Sequence, residues 1–379
     1  MNRVALALLL ANPGKFLGIV SGVAFAALLI AQQASIFCGL MRLTASPVRD
    51  VTDASIWVMD PNVEFVDDVK PMSDDELYRV RGVPGVARAD RFYKSLSRAR
   101  FEDGRFRQVI LIGVDGVSLV GGPKEMVAGR LADLARPDAV IMDDRGAREL
   151  WPDDPLRLGR EFEMNDRRAV LVGVCRVSRT FQTFPVVYAR YARAVGYAPP
   201  ERKVLSFVLA RPVAGADPAA VCAAIAARTG LKAETGEQFQ WTTIAYYLRR
   251  TGIPVNFGIT VLLGFVVGTA VAGQTFYLFT VENLRQFGTL KALGVSNGGV
   301  LRVVLTQAAV VGVLGFGLGV GGAALFGLFT RGLDKLAFYM PWPVLVGTGA
   351  ACVLIVLLSS LLSVRRALAL EPAVVFKGG

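Results

Sequence analysis

Histidine is absent from the 379 residues. That excludes a Ser-His-Asp triad, a Cys-His pair and any imidazole metal ligand. Cysteine is scarce: Cys38, Cys175, Cys222 and Cys352. No two form a C-x-x-C pair, so a zinc or dithiol redox motif is not expected. Cys38 and Cys352 lie in apolar runs, while Cys175 and Cys222 have the option of pairing if their domain is extracytoplasmic. Charge is also low, with 19% Asp, Glu, Lys and Arg against 53% hydrophobic residues, which excludes a disordered chain. Four stretches lack charge altogether: 16–41, 251–281, 303–330 and 336–364. Each exceeds the roughly 20 residues that a helix needs to cross a bilayer.

The net charge of +11 is unevenly placed. Residues 43–252 carry a net of +3 and the remainder a net of +8. The excess flanks apolar runs rather than forming a basic face on the polar segment, which indicates a membrane and not nucleic acid. The positive-inside rule sets the orientation. Arg3, Lys15, Arg285, Lys291, Arg302, Arg365, Arg366 and Lys377 fall on one side. Only Arg331 and Lys335 fall in the short loop opposite. Both termini and the 282–302 loop are therefore expected in the cytoplasm, and the 43–252 insert outside it.

The expected fold is an α-helical membrane protein with four transmembrane helices and a large α+β extracytoplasmic domain inserted between helices 1 and 2. Residues 1–15 form an N-terminal segment with an interfacial helix over 2–11, and 16–42 the first span, read as an uncleaved anchor. The insert occupies 43–252 and the second span 253–281. A cytoplasmic loop (282–302), third span (303–330), short outer loop (331–335), fourth span (336–364) and tail (365–379) complete the chain. Small residues recur four apart in the spans, at Gly264 and Gly268 and at Gly315 and Gly319, a spacing that lets helix backbones approach closely.

Inside the insert, 54–60, 86–101, 106–115, 169–177, 204–210 and 231–235 read as strands. The second and third join near Asp103-Gly104. Ser73 and Glu76 fit a capping box. Asp217-Pro218 opens a helix that runs to Gly230. The first and last parts are expected to pack together around a middle section, 118–200. No catalytic constellation stands out. The pairs Asp67-Asp68, Asp74-Asp75, Asp143-Asp144 and Asp153-Asp154 lack calcium-loop spacing and suit caps and turns. Phe181, Phe184, Tyr188, Tyr191 and Tyr197 serve either as a contact surface or as packed anchors.

The loop after the second span reads R-Q-F-G-T-L-K-A-L-G-V-S, Arg285 to Ser296. Leu284, Phe287 and Leu290 or Lys291 recur at helical spacing. Such a helix suits lipid headgroups or a groove on a partner. Together with the tail R-R-A-L-A-L-E-P-A-V-V-F-K, Arg365 to Lys377, and the topology, this string resembles FtsX/MacB-type (type VII) ABC transporter permeases. S-I-W-V-M-D-P and F-V-V-G-T-A-V-A-G-Q look most like the DevC-like members. MacB itself carries an ATPase domain, whereas this chain has no G-x-x-x-x-G-K-[ST] run.

The resemblance implies a non-enzymatic permease subunit, a homodimer working with a separate cytoplasmic ABC ATPase that holds ATP and Mg2+. Glu282, Arg285, Phe287, Gly288, Lys291, Leu293 and Gly294 would form the coupling helix on that ATPase. Phe287 and Leu293 would be its apolar anchors, and Arg285 and Lys291 would meet acidic groups or headgroups. Arg365, Arg366, Pro372 and Phe376 would belong to the cytoplasmic tail. The spans would pass ATP-driven motion to the extracytoplasmic lobes by mechanotransmission, within a tripartite exporter of the bacterial inner membrane. A periplasmic membrane-fusion adaptor and an outer-membrane channel would complete it. The alternative is an FtsX-type relay controlling a periplasmic cell-wall hydrolase. Relatives that extract lipoproteins, and a membrane-anchored sensor, are further readings.

Overall fold

A computed structural model describes residues 2–101, 104–199, 205–330 and 336–368. In chain order, α1 (Asn2–Ala11) and α2 (Pro13–Thr44) are followed by α3 (Ser46–Arg49), β1 (Ile56–Met59) and α4 (Asp75–Arg81). Next come β2 (Val86–Arg100), β3 (Phe106–Val114), β4 (Glu125–Ala128), a 3-10 turn (Leu131–Ala135), β5 (Ala139–Asp143) and α5 (Asp144–Leu150). The insert continues with β6 (Glu161–Met164), β7 (Arg167–Arg176), β8 (Val186–Arg190) and α6 (Tyr191–Gly196). It closes with β9 (Phe207–Pro212), α7 (Pro218–Thr229), β10 (Lys232–Thr235) and α8 (Gly236–Arg250). Then follow α9 (Ile253–Glu282), α10 (Leu284–Ala292), α11 (Asn297–Thr330) and α12 (Trp342–Leu368). Two compact units result: 1–40 with 252–379, and 41–251.

In the first unit, α2, α9, α11 and α12 are each long and apolar enough to cross a membrane. With the α/β domain inserted between the first and second of them, the expected fold class holds. The fourth helix starts later than its charge-free run. Residues 336–341 are not helical and α12 begins at Trp342. Pro341 and Pro343 flank that start. Proline restricts the residue before it to extended backbone, yet suits the first helical turn, so the pair sets the boundary. The 331–335 loop lies outside the described residues, as do Pro372 and Phe376 of the tail. Arg365 and Arg366 fall in the last turns of α12.

The second unit is built on a ten-stranded mixed sheet in the order β10-β1-β9-β2-β3-β8-β5-β7-β4, with β6 joining β2 and β7. The β3–β8 and β5–β7 pairs are parallel. Alternation along the strands divides the core between the two faces. Trp57 and Met59 of β1, with Ile110, Ile112 and Val114 of β3, enter one cluster with Phe92, Phe207 and Phe239. Ile56 and Val58 of β1 face a second cluster under α4 and α7 with Leu77, Val80, Val221 and Ile225. Val109 and Leu111 of β3 face a third with Ala147, Leu150 and Tyr197.

The strands at both ends of the insert share this sheet, since β1 lies between β9 and β10. Asp217 caps α7 by accepting from the Ala219 and Ala220 amides, and Gly230 ends it in the left-handed region at φ +71°. The capping box at Ser73 and Glu76 does not form. Asp74 is the N-cap of α4, the Ser73 hydroxyl accepts from the Asp75 amide, and the Glu76 carboxylate pairs with Arg79. Helix α8 carries few aliphatic residues; its buried positions are Phe239, Thr243 and Tyr247, four apart. Cys175 and Cys222 are free and buried in different clusters. Burial pushes the Cys222 thiol up to about 11.

Candidate functional site

The loop between α9 and α11 is a built platform. Asn283 ends α9 and opens α10: its amide donates to the Phe279 carbonyl, and its own carbonyl accepts from the Phe287 amide. It is buried, with Nδ2 donating to the Phe279 carbonyl at 2.8 Å. Two hydrogen bonds end α10, from Gly294 N to Lys291 O and from Val295 N to Leu290 O, both 3.0 Å. This 5→2 and 6→1 pattern is a Schellman motif. It requires a left-handed residue, supplied by Gly294 at φ +87°.

The side chains divide by face. Phe287 is fully buried, in a cluster with Ala5 of α1 and Val300, Val303 and Val304 of α11. Leu8, Leu290 and Val295 close around it. Gln307 of α11 ties α1 to the same place by donating to the Ala5 carbonyl at 3.2 Å. This helix, expected at the membrane interface, thus also packs inward through Ala5 and Leu9. Glu282, Arg285, Gln286, Thr289, Ala292, Leu293 and Gly294 are exposed along the opposite side of the loop. Leu293 is 76% exposed. Lys15 of α2 forms an ion pair with Glu282. Both side chains are more than a third exposed, so the pair contributes at most about 1 kcal/mol.

Two residues expected to act alike are therefore separated. Phe287 is buried within its own chain, where its ring packs α10 against α1 and α11. Gly288 is buried beside it. Leu293 is the apolar side chain left facing outward. Helical spacing locates an apolar stripe but does not say what covers it.

Residues 257–372 match the family described as FtsX-like permease C-terminal. This stretch is similar to that domain. It takes in α10, α11, α12 and nearly all of α9. In sequence the chain is 30% identical over 120 residues to uncharacterized ABC transporter permeases of Mycobacterium bovis and Mycobacterium tuberculosis. The alignment covers 32% of this chain and 33% of each relative, so the chain spans about a third of the length of the curated relatives it matches. Among solved structures, it is similar to the periplasmic region of MacB from Actinobacillus actinomycetemcomitans. That match has 12% identity and a TM-score of 0.40, covering 52% of this chain and 94% of that one. It is also similar to the extracellular domain of the noncanonic ABC-type transporter YknZ from Gram-positive bacteria. There the identity is 14% and the TM-score 0.36, covering 48% of this chain and 98% of that one.

Glycine sets the packing of α9 and α11 against α2. A Cβ on Gly319 would lie 2.5 Å from the Ala24 carbonyl oxygen and 2.8 Å from the Leu28 nitrogen. One on Gly315 would lie 2.6 Å from a Val23 methyl. Gly268 of α9 lies against Ala26, and Gly264 would bring a Cβ to 3.3 Å from that of Leu29. The helix α2 is thus approached closely from two sides. Gly317 and Gly321, with the same spacing, meet nothing within 4 Å.

The acidic pairs of the insert are dispersed among separate tasks. Asp143 accepts from the Val186 and Gly146 amides. Burial raises its pKa, although those two bonds oppose the shift. Asp144 pairs with Arg148, and Asp154 lies 3.9 Å from Arg160. Among the described residues, no group of three or more Cys, Asp or Glu could hold a metal ion. The aromatic residues of 181–197 are packing groups. Tyr188 and Tyr197 are buried, Phe181 meets the Tyr247 ring, and Tyr191 donates to Asp74.

Proposed function

We propose that this chain is the permease subunit of an ABC transporter of FtsX/MacB type in the bacterial inner membrane, with both termini cytoplasmic. A separate ATPase subunit holds ATP and Mg2+ and docks on the exposed strip of α10. The observation that carries this reading is the division of that loop: Phe287 buried inward, Arg285 and Leu293 outward, within a stretch similar to the FtsX-like permease C-terminal domain. A short helix locked to its own chain by one face transmits a push received on the other. Leu293 supplies the apolar contact and Arg285 and Lys291 the charge that orients the partner.

The wider assembly we propose is a homodimer coupled by mechanotransmission to a membrane-fusion adaptor and an outer-membrane channel. The DevC-like strings support the exporter form. The test is affinity purification from native membranes in mild detergent, followed by mass spectrometry. An ATPase with an adaptor supports the exporter, whereas an ATPase with a cell-wall hydrolase replaces it with the regulatory relay. If no ATPase is retained, even after crosslinking, the permease assignment is wrong.

A further inference from the structure

Helix length measures depth in the spans. Lys15 of α2 and Glu282 of α9 form an ion pair and so lie at one level. At about 1.5 Å per residue, Phe37 lies about 33 Å along α2 from that pair and Phe257 about 37 Å along α9. Their ring centroids are 5.4 Å apart, so both counts end at one level. That separation is one hydrocarbon core, about 30 Å, plus the edge of the headgroup layer. Further aromatic residues sit there. The Tyr339 amide donates to the Ser35 carbonyl of α2 at 3.0 Å, and Trp342, at the start of α12, is 74% exposed. Amphipathic rings collect at membrane boundaries, so this level marks the bilayer face on the side of the insert.

Arginines follow immediately beyond it. Arg42 lies in the last turn of α2, about 8 Å past Phe37. Arg249 and Arg250 end α8, and the short link to Ile253 keeps them within about 14 Å of the start of α9. Arg42 and Arg249 are exposed, and Arg249 has no ion-pair partner among the described residues. Arg250 faces Glu64 at 3.6 Å with both side chains more than half exposed, a weak pair that leaves the guanidinium available. Segments 41–49 and 238–252 hold Arg42, Arg49, Arg249 and Arg250 but no Asp or Glu. Burial and the charge of Arg42 lower the Arg49 pKa, against the opposing charge of Asp50. Positive charge is thus in excess beside the boundary.

Depth and charge select the occupant. A phosphodiester offers the paired oxygens that a guanidinium fork takes up. Lipid phosphates are fixed at the depth that the helix lengths give, whereas a soluble acidic partner has no such constraint. We propose that Arg42, Arg249 and Arg250 bind the phosphate groups of anionic phospholipids in the leaflet on the side of the insert. The site needs only that α2 and α9 span a bilayer, and it is separate from the α10 strip.

The full chain in mixed micelles is titrated with phosphatidylglycerol and, in parallel, with phosphatidylcholine of the same acyl chains. Basic residues near the other face can also take lipid, so binding is read locally, as amide exchange over 246–252 followed by mass spectrometry. Phosphatidylglycerol should slow that exchange and phosphatidylcholine should not. The double variant Arg249→Gln with Arg250→Gln should need about thirtyfold more phosphatidylglycerol for the same protection, roughly fivefold for each charge. Arg249→Lys with Arg250→Lys keeps the charge and should recover most of it. Both side chains are exposed, so both variants should unfold at the wild-type midpoint; the comparison of lipids on the wild-type chain stands without them. The proposal is overturned if phosphatidylcholine protects as well as phosphatidylglycerol, if neither protects, or if the glutamine variant responds as the wild type does. Equal protection by inorganic phosphate or by polyglutamate also overturns it, replacing the lipid with a soluble anion or an acidic protein segment.

Discussion

Replacing Phe287 by alanine tests the platform directly. Phe287 is the one large side chain of α10 with no exposure, and it is the contact that joins α10 to both α1 and α11. Truncating a fully buried phenylalanine costs about 3–5 kcal/mol. The helix has nine residues, far too few to persist without tertiary support. The loss should therefore appear as local opening of α10 rather than as global unfolding. At 1.4 kcal/mol per decade, amide exchange in 287–292 should accelerate by roughly two to three and a half decades. Leu293→Ala is the control: at 76% exposure its removal should change stability by no more than about 0.5 kcal/mol. Hydrogen exchange of the detergent-solubilised chain, followed by mass spectrometry, reads both. Unchanged exchange over 287–292 in Phe287→Ala would refute the assignment of Phe287 as the anchor. A further contrast concerns the partner: Leu293→Asp should lose ATPase retention in the affinity purification while keeping wild-type exchange in α10.

Three other outcomes follow from the packing. Gly319→Ala should destabilise the helical unit by about 1–3 kcal/mol, because the new methyl meets backbone of α2 that cannot yield, whereas Gly317→Ala, facing open space inside α11, should stabilise it by up to about 1 kcal/mol through helix propensity; unfolding midpoints in detergent separate the two. Asp217→Ala removes an N-cap that accepts from two amides and should cost about 1 kcal/mol, lowering the midpoint of the domain by roughly 2–4 °C. Asp115 gives the pH dependence. Burial alone would raise its pKa, but bonds from the Val117 and Ser118 amides and the Ser118 hydroxyl, with the charge of Arg91, bring it below the ordinary value. A lowered carboxylate pKa stabilises the fold above the ordinary value of about 3.9, and that contribution is lost as pH falls through the lowered one. The stability advantage of wild type over Asp115→Asn should therefore be constant between pH 7 and 5 and shrink at pH 3 in chemical denaturation.

Local chemistry was legible where a residue acts on its own neighbours. Charge-free length located the four long helices, and Asp217-Pro218 with Gly230 bounded α7, because caps are satisfied within a turn. The runs 54–60, 106–115 and 169–177, which cover β1, β3 and most of β7, are visible because their apolar content is continuous or alternating. Failures came where distant partners decide. Ser73 and Glu76 have capping-box spacing, but Arg79 takes the glutamate and the helix starts one residue later. The strand β8 is held by a parallel pairing with β3 that no local pattern announces. Helix α8 buries mainly aromatic residues and a threonine on a polar background, a weak periodic signal. At the α10 platform, spacing identified the stripe, but only the fold distinguishes Phe287, turned inward, from Leu293, turned outward.

The placement of β1 also has a consequence in time. All four of its residues are buried, and its two sheet neighbours, β9 and β10, are made much later. At 5–20 residues per second, synthesis of the roughly 150 intervening residues takes on the order of 10–30 s. Throughout that interval Ile56, Trp57, Val58 and Met59 form an apolar segment with neither edge paired. A newborn chain must be shielded there until its last strands arrive, and a chain stalled before Phe207 has no partner with which to hide it.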